Sequence, residues 1–371
     1  MAKIKRFITI LIPNQKCNLK CEYCYISQID AWEEPQLPQY SPEHIAACLS
    51  MERLGGPSLI NLTGNGETLL QPGLVEIVTA LLREGHYVEI VTNGTVTKVI
   101  EQLMCLPREL LAHLEFKMSF HFKELKRLGI MDQFFRNVQM IHRSGASFTL
   151  ELMAYDGIEG DIEEIKQVCR ENVGAICHAT IGRDDKSKKR GLLTKHSKEE
   201  FETIWAELDS DMLRYKLELL GVKRKEFCYA GMWSLHVNLY TGETQQCYWM
   251  PCNQNIFEDP SKPINFSPVG YFCPQPFCYN GHAHMTWGLI PELNAPKYCQ
   301  MRDRICENGE SWLTKECQDF FSSKLAETNQ EYTKFQKVRY TIREPFQLAI
   351  WFVKDKHTIS RLKKLKRYFT R

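Results

Sequence analysis

Phe7-Ile-Thr-Ile-Leu-Ile12 is a β-branched apolar run, and it leads through Pro13-Asn-Gln-Lys16 into Cys17-Asn-Leu-Lys-Cys21-Glu-Tyr23-Cys24. A short apolar strand that empties into a cysteine-bearing loop fits a parallel α/β sheet, in which chemistry is carried on loops at the carboxyl ends of strands. Working outward, five more strands are expected at Leu59–Thr63, Tyr87–Thr92, Phe116–Phe120, Phe148–Met153 and Ala175–Thr180. Helical stretches separate them: Pro42–Arg53 behind Ser41 as a cap, Pro72–Arg83, Val96–Cys105, Glu124–Arg143 and Glu159–Arg170. Each is long enough for a crossover, so the expected sheet is parallel, open or curled into a partial barrel.

The composition is that of a globular protein: 371 residues, Lys+Arg 47 against Asp+Glu 45, and 43% hydrophobic residues. Disorder, collagen and coiled coil are excluded. No apolar run approaches the roughly 20 residues of a spanning helix, so no transmembrane segment is expected. Lys3, Lys5 and Arg6 imitate the start of a signal peptide, but no small-x-small cleavage site follows, and the chain reads as cytoplasmic. Fifteen cysteines, an odd count at uneven spacing, suit metal ligation better than a disulfide framework. Positive charge gathers in Lys354–Arg371, with eight Lys/Arg against one Asp, which leaves the preceding chain net acidic.

Four segments follow from this reading: residues 1–190 as the partial barrel, 191–227 as a helical connector including Lys198–Leu220, 228–310 as a loop-rich region dense in Cys, Pro, Tyr and Trp, and 311–371 as a helical segment with a basic tail. The third segment lacks helical periodicity, so a cluster or metal is expected to hold it together.

Cys17, Cys21 and Cys24 form C-x3-C-x2-C. Three thiolates on one short loop can hold three irons of a [4Fe–4S] cube and leave the fourth open, whereas structural zinc takes four closed ligands. A zinc site completed by a distant Cys or His is the plainer alternative. With Tyr23 before the last cysteine, the motif resembles that of the radical S-adenosylmethionine (SAM) superfamily. The resemblance implies a (β/α)6 partial barrel over about residues 4 to 183, with Cys17, Cys21 and Cys24 as cluster ligands and SAM chelated at the open iron. Reductive cleavage of SAM to a 5′-deoxyadenosyl radical and hydrogen abstraction from a substrate are the activity it implies. Gly64-Asn-Gly66-Glu67 looks like the family's Gly-Gly-Glu motif, which meets the SAM ammonium, although Asn65 separates the glycines. Asn93 in Thr92-Asn-Gly-Thr95, together with Ser119 and His121, falls where the family places ribose contacts. Glu151 and Arg183 are candidates for SAM or substrate contacts; the bland reading of all these is a satisfied barrel residue or a surface charge.

Downstream, Cys228, Gly242 and Cys247 read C-x13-G-x4-C, with a hairpin expected over Ser234–Gly242 that would draw the two cysteines together. This resembles the opening of the SPASM and twitch domains, which carry auxiliary [4Fe–4S] clusters. Because Cys273-x4-Cys278 replaces the rest of the SPASM pattern, one twitch-like cluster on Cys228, Cys247, Cys273 and Cys278 is the favoured assignment. Alternatives are Cys252 in place of one ligand, a second cluster using Cys299, Cys306 and Cys317, or zinc with His282 or His284. Cys48, Cys105 and Cys169 fall in predicted helices and read as buried packing residues. Cys177, on the sixth strand, is either a core thiol or one facing the barrel interior.

The expected function is hydrogen abstraction from a small polar metabolite or glycan, by analogy with the aminocyclitol dehydrogenase arrangement and because no peptide-recognition stretch precedes the first strand. A ribosomal-peptide maturase is the alternative, and a non-catalytic Fe–S or zinc scaffold is the reading from another class. The outcome could be oxidation, epimerisation or carbon–sulfur bond formation. A flavodoxin- or ferredoxin-like electron donor is implied. Ile359, Leu362, Leu365 and Phe369 among Lys/Arg fit a basic amphipathic helix, for which anionic membrane contact or packing on its own domain are both open; nucleic acid is not expected as a partner.

Overall fold

The computed structural model describes residues 4–184, 186, 191–248, 250–278 and 281–342. The basic tail therefore lies outside the described residues, as does most of the polar connector after Asp184. Six parallel strands are laid down in chain order: β1 (Arg6–Ile12), β2 (Ser58–Gly64), β3 (Tyr87–Thr92), β4 (Leu114–Phe120), β5 (Ser147–Ala154) and β6 (His178–Ile181). They match the six expected strands to within three residues at each end. The sheet does not close on itself; instead β1 also pairs in parallel with β7 (Ser234–Asn238), which continues through β8 (Glu243–Gln245) and β9 (Cys252–Asn255) in the order β6-β5-β4-β3-β2-β1-β7-β8-β9. The barrel is thus partial, and the cysteine-rich region extends its sheet.

The helices are more broken than the sequence pattern suggests. A short α1 (Tyr25–Ile29) follows the cysteine loop, and the expected Pro42–Arg53 helix divides into α2 (Pro42–Cys48) and α3 (Met51–Leu54), each capped by a serine, Ser41 and Ser50, that accepts from a backbone N–H. Next come α4 (Leu74–Arg83), α5 (Thr97–Met104) and α6 (Arg108–Leu111). Glu124–Arg143 becomes α7 (Phe122–Leu128) and α8 (Met131–Ser144), because Gly129 turns left-handed at φ 67° and ends the first. Then follow α9 (Ile162–Val173), α10 (Lys198–Trp205) and α11 (Asp211–Leu219), the last two dividing the expected 198–220 helix. α12 (Gly281–Thr286), α13 (Lys315–Phe321) and α14 (Leu325–Thr328) follow, and residues 334–342 are helical as well.

Strand alternation sorts the two faces. Ile8, Ile10, Ile60, Leu62, Val88, Ile90, Phe116 and Met118 turn to the helices and join one core with Phe134, Val138 and Ile165, each such burial contributing roughly 1.5–3 kcal/mol. The register aligns Thr9, Asn61, Glu89 and Glu115 in a row across β1 to β4, all buried. Parallel strands are normally apolar on both faces. A polar row on the inner face marks the barrel interior as a site.

Three expectations need correction. Cys105 is exposed at the C-terminus of α5. Cys177 lies just before β6 rather than on it, although its burial in the hydrophobic core beside Cys169 agrees with the core-thiol reading. The cysteine-rich region does have a core of its own, in which Tyr229 stacks on Trp233 at 3.9 Å, Trp287 stacks on Tyr298 at 4.6 Å, and Phe7 from β1 joins them. Lys5 ties this core to the chain's start by donating to Phe320 O, Ser323 O and Ser323 Oγ.

Candidate active site

The loop after β1 is stitched to the loop after β2. Asn65 N donates to Ile12 O (3.1 Å), Gly66 N to Asn14 O (2.5 Å) and Glu67 N to Lys16 O (2.8 Å). A Cβ on Gly66 would stand 2.2 Å from Lys16 O, so only glycine allows the approach. Cys24 N then donates to Cys21 O and Cys24 caps α1, which folds the three cysteines around one space. That space is a cavity of about 330 Å³ lined by Cys17, Cys21 and Cys24 together with Tyr23, Gly64, Gly66, Glu67, Asn93, Ser119, His121, Glu151 and Arg183. The structure thus brings together every residue that the sequence singled out for this site.

Their partners differ from the simplest expectation. Glu67 Oε1 accepts from Thr92 Oγ1 (2.5 Å) and Leu69 N (2.9 Å), and Oε2 from Asn93 N (2.8 Å), so it locks the β2 and β3 loops together and keeps one Oε2 lone pair for an ammonium. Asn93 turns its amide toward Cys17 Sγ at 3.7 Å and to Asn18 Oδ1 at 2.8 Å rather than across the cavity. Tyr23 bonds His121 Nδ1 through its hydroxyl, and burial pulls that imidazole down to about 4, leaving it neutral. Burial alone would raise the Glu151 carboxyl, yet Lys117 at 2.9 Å, Lys216 at 3.9 Å and Arg302 at 3.2 Å hold it well below the usual carboxylate range.

Sequence reasoning missed Lys117, Lys216 and Arg302, and considered His282 only as a zinc ligand of the second cysteine group. Lys117 was findable, since it alternates with Glu115 and Ser119 on the inner face of β4. Lys216 and Arg302 reach the site from α11 and from the segment after residue 298, which no local pattern indicates.

The donor set fits an iron–sulfur group. Burial pushes the Cys17 thiol up to about 11 and raises Cys21 further, with its neighbouring cysteines adding to the effect. Such buried thiols become thiolates where a cation supplies compensating charge. Thiolates on one zinc sit about 3.8 Å apart, given Zn–S near 2.3 Å. Among the described residues, the donor triads with all ligand atoms within 4.8 Å are His236/Cys247/His284 and Asp156/Glu159/His196, and Cys17/Cys21/Cys24 is not one of them. The wider spread favours a cluster.

The hairpin forms as expected, with Gly242 at φ 75°, and Cys228, Cys247, Cys273 and Cys278 line one small cavity of about 40 Å³ with His284. His284 Nδ1 lies 3.9 Å from Cys247 Sγ and 4.0 Å from Cys278 Sγ, while its Nε2 faces His236 Nε2 at 3.5 Å. Cys252 instead faces Gln254 O, Cys306 faces Val173 O, Cys317 faces Ala112 O, and Cys299 packs on the aromatic core. Phe277 and Cys278 line both the barrel cavity and this one.

Residues 11–171 match the radical SAM superfamily. Those residues carry a radical SAM domain. No curated protein matches it in sequence. Similar solved structures include Streptococcus suis SuiB bound to S-adenosylmethionine, at 14% identity and TM-score 0.49 over 70% of this chain. A native anSMEcpe with bound AdoMet and Cp18Cys peptide is 14% identical at TM-score 0.46, covering 93% of this chain and 98% of that one. BtrN in complex with AdoMet and 2-DOIA is 16% identical at TM-score 0.38, covering 70% and 80%. The chain spans 64% of SuiB's length. Among the described residues no helix is long and apolar enough to cross a membrane.

Proposed function

We propose that this enzyme cleaves SAM reductively at a [4Fe–4S] cluster held by Cys17, Cys21 and Cys24, and abstracts hydrogen from a small polar metabolite or glycan. The observation that supports it is the single cavity shared by the triad, Glu67, Asn93 and Arg183. Bound there, the cluster and SAM supply one-electron cleavage of a sulfonium and hydrogen abstraction from carbon. The chain's own residues orient and shield. Asn93 directs an N–H at the Cys17 sulfur, Glu67 offers a carboxylate to the SAM ammonium, and Arg183 and Lys216 offer cations to its carboxylate. Leu19, Ile26 and Met153 line the same wall and exclude water. We assign Cys228, Cys247, Cys273 and Cys278 to one auxiliary [4Fe–4S] cluster, which their shared cavity supports, and a flavodoxin- or ferredoxin-like protein as the electron donor.

The test is anaerobic reconstitution, reduction with dithionite and measurement of 5′-deoxyadenosine from SAM. Wild type is expected to form it and a Cys17→Ala/Cys21→Ala/Cys24→Ala variant to form none; equal yields from the two would sink the reading.

A further inference from the structure

Beside the triad cavity lies a larger chamber of about 530 Å³, within the size range of small-molecule sites. The two share a wall that includes Tyr25, Asn65, Arg183 and His282, but the chamber touches none of the triad cysteines and not Glu67. Its sides come from β1 to β4 and it is closed by Tyr248, His282, Tyr298 and Arg302 from the cysteine-rich half. It sits where a substrate would meet chemistry performed in the neighbouring cavity.

The lining is charged and incompletely paired. Arg302, 1% exposed, donates from Nη1 to Glu151 and stands over the Tyr298 ring at 4.7 Å. Its Nε lies 3.4 Å from Glu89 but outside hydrogen-bond geometry, and among the described residues it is a buried donor with no hydrogen-bond partner. His282 Nδ1 on the shared wall is likewise buried with no partner. Buried polar atoms in native proteins are nearly always satisfied, so two unsatisfied ones lining a single chamber indicate a ligand that completes them.

The charge count selects the ligand's sign. Lys117, Lys216 and Arg302 converge on Glu151, and Glu89 is shared among Arg302, Asn61 and Tyr298. Glu115, next in the row, is raised well above the ordinary carboxylate range by burial and by Glu89. Among the described residues the chamber is lined by three basic side chains, Lys117, Arg183 and Arg302, against one carboxyl group, Glu89. Burial pulls Lys216 down to about 7; Glu151 opposes this, while Lys117, Arg183 and Arg302 add to it. An uncompensated buried cation costs several kcal/mol. Arg183 and Lys216 line the triad cavity, where the SAM carboxylate belongs, whereas Lys117 and Arg302 line only the chamber.

We propose that this chamber is the substrate site and that the substrate is a small polar molecule carrying one anionic group, a carboxylate or a phosphate, received by Lys117 and Arg302. The proposal rests on the radical SAM reading of the adjoining cavity and narrows it to an acidic metabolite or acidic sugar. Thr9 and Asn61 on the inner faces of β1 and β2 supply neutral polar groups for the remainder.

The experiment uses the full chain, anaerobically reconstituted and saturated with SAM, and measures binding of D-glucuronate, D-glucose 6-phosphate and D-glucose by calorimetry. At least one of the two anions is expected to bind tenfold or more tightly than glucose, and whichever does identifies the group as carboxylate or phosphate. Lys117→Gln should abolish that preference, and Lys117→Arg should retain it, which separates lost charge from lost fold. No preference for either anion, or a preference untouched by Lys117→Gln, overturns the proposal. So does an anion that SAM displaces, since the site would then be that of SAM's own carboxylate. Formation of 5′-deoxyadenosine without added sugar tests the radical SAM reading independently.

Discussion

Gly66 carries the tightest local constraint in the site, because backbone of the cysteine loop occupies the place of its Cβ. Gly66→Ala must push Lys16 outward and spread the triad, so about half or more of the triad-bound iron should be lost. Iron analysis of the reconstituted variant checks this, and an undiminished content would mean that the loop adapts. Lys216 offers a second residue-level test. Its folded-state pKa is about 7 against an ordinary 10.5, so between these values the unfolded chain holds a proton that the folded chain does not. Stability therefore rises with pH across this window, by roughly 1.4 kcal/mol per unit at most, and is offset unfavourably by a constant amount below it. Lys216→Met removes the titration, so the wild-type stability measured against that of the variant should improve between pH 7 and pH 9 in urea denaturation. A difference that stays the same at both pH values would contradict the burial of the charge. Most of these roles were readable one by one: Cys17, Cys21, Cys24 and Glu67 follow strands whose ends the sequence marks. Lys216 was not, because a lysine on an amphipathic helix looks like solvent-facing charge until the helix is docked.

At the scale of elements, strands were more legible than helices. β-branched runs bounded by polar turns hold over their full length, whereas Gly129, and the pairs Leu49-Ser50 and Asp209-Ser210, interrupt patterns that periodicity alone runs together. The hairpin of β7 and β8 was predictable from Thr241-Gly242, but its docking beside β1 depends on an edge 227 residues away in sequence, as Phe7 pairing with Ser234 requires. The cysteine-rich region was misjudged for the same reason. Its aromatic residues have no common period, and they meet only after Phe7 and Phe321 arrive from separate segments. Trp287 stands fully buried at their centre, stacked on Phe7 and Tyr298. Trp287→Ala should cost about 3–5 kcal/mol, seen as a lower denaturation midpoint with the fold retained. A loss below about 1 kcal/mol would show that the core does not hold this half together.

For the whole molecule, the two cysteine sets make separable contributions. Wild type should carry about eight irons, and both the triad variant and a Cys228→Ala/Cys247→Ala variant about four, each of these sites being of the four-iron type. The Cys228→Ala/Cys247→Ala protein should stay folded on its aromatic core and retain some SAM cleavage, as judged by circular dichroism and 5′-deoxyadenosine yield. Twelve irons in wild type would restore a second auxiliary cluster, which the separate locations of Cys299, Cys306 and Cys317 argue against. The sequence by itself determined the parallel sheet, the triad loop and the neighbouring motif loops, because each is written in short-range spacing: period-2 apolar runs, fixed cysteine intervals and a glycine turn; the grouping of Cys228, Cys247, Cys273 and Cys278 came from the resemblance to twitch domains. Only the tertiary structure decided that β7 extends the sheet, that Phe277 and Cys278 form a wall common to two cavities, and that Lys117, Lys216 and Arg302 converge on Glu151. Those facts depend on charges and rings from distant segments packed into one low-dielectric interior, where Coulomb interactions and burial act through space rather than along the chain.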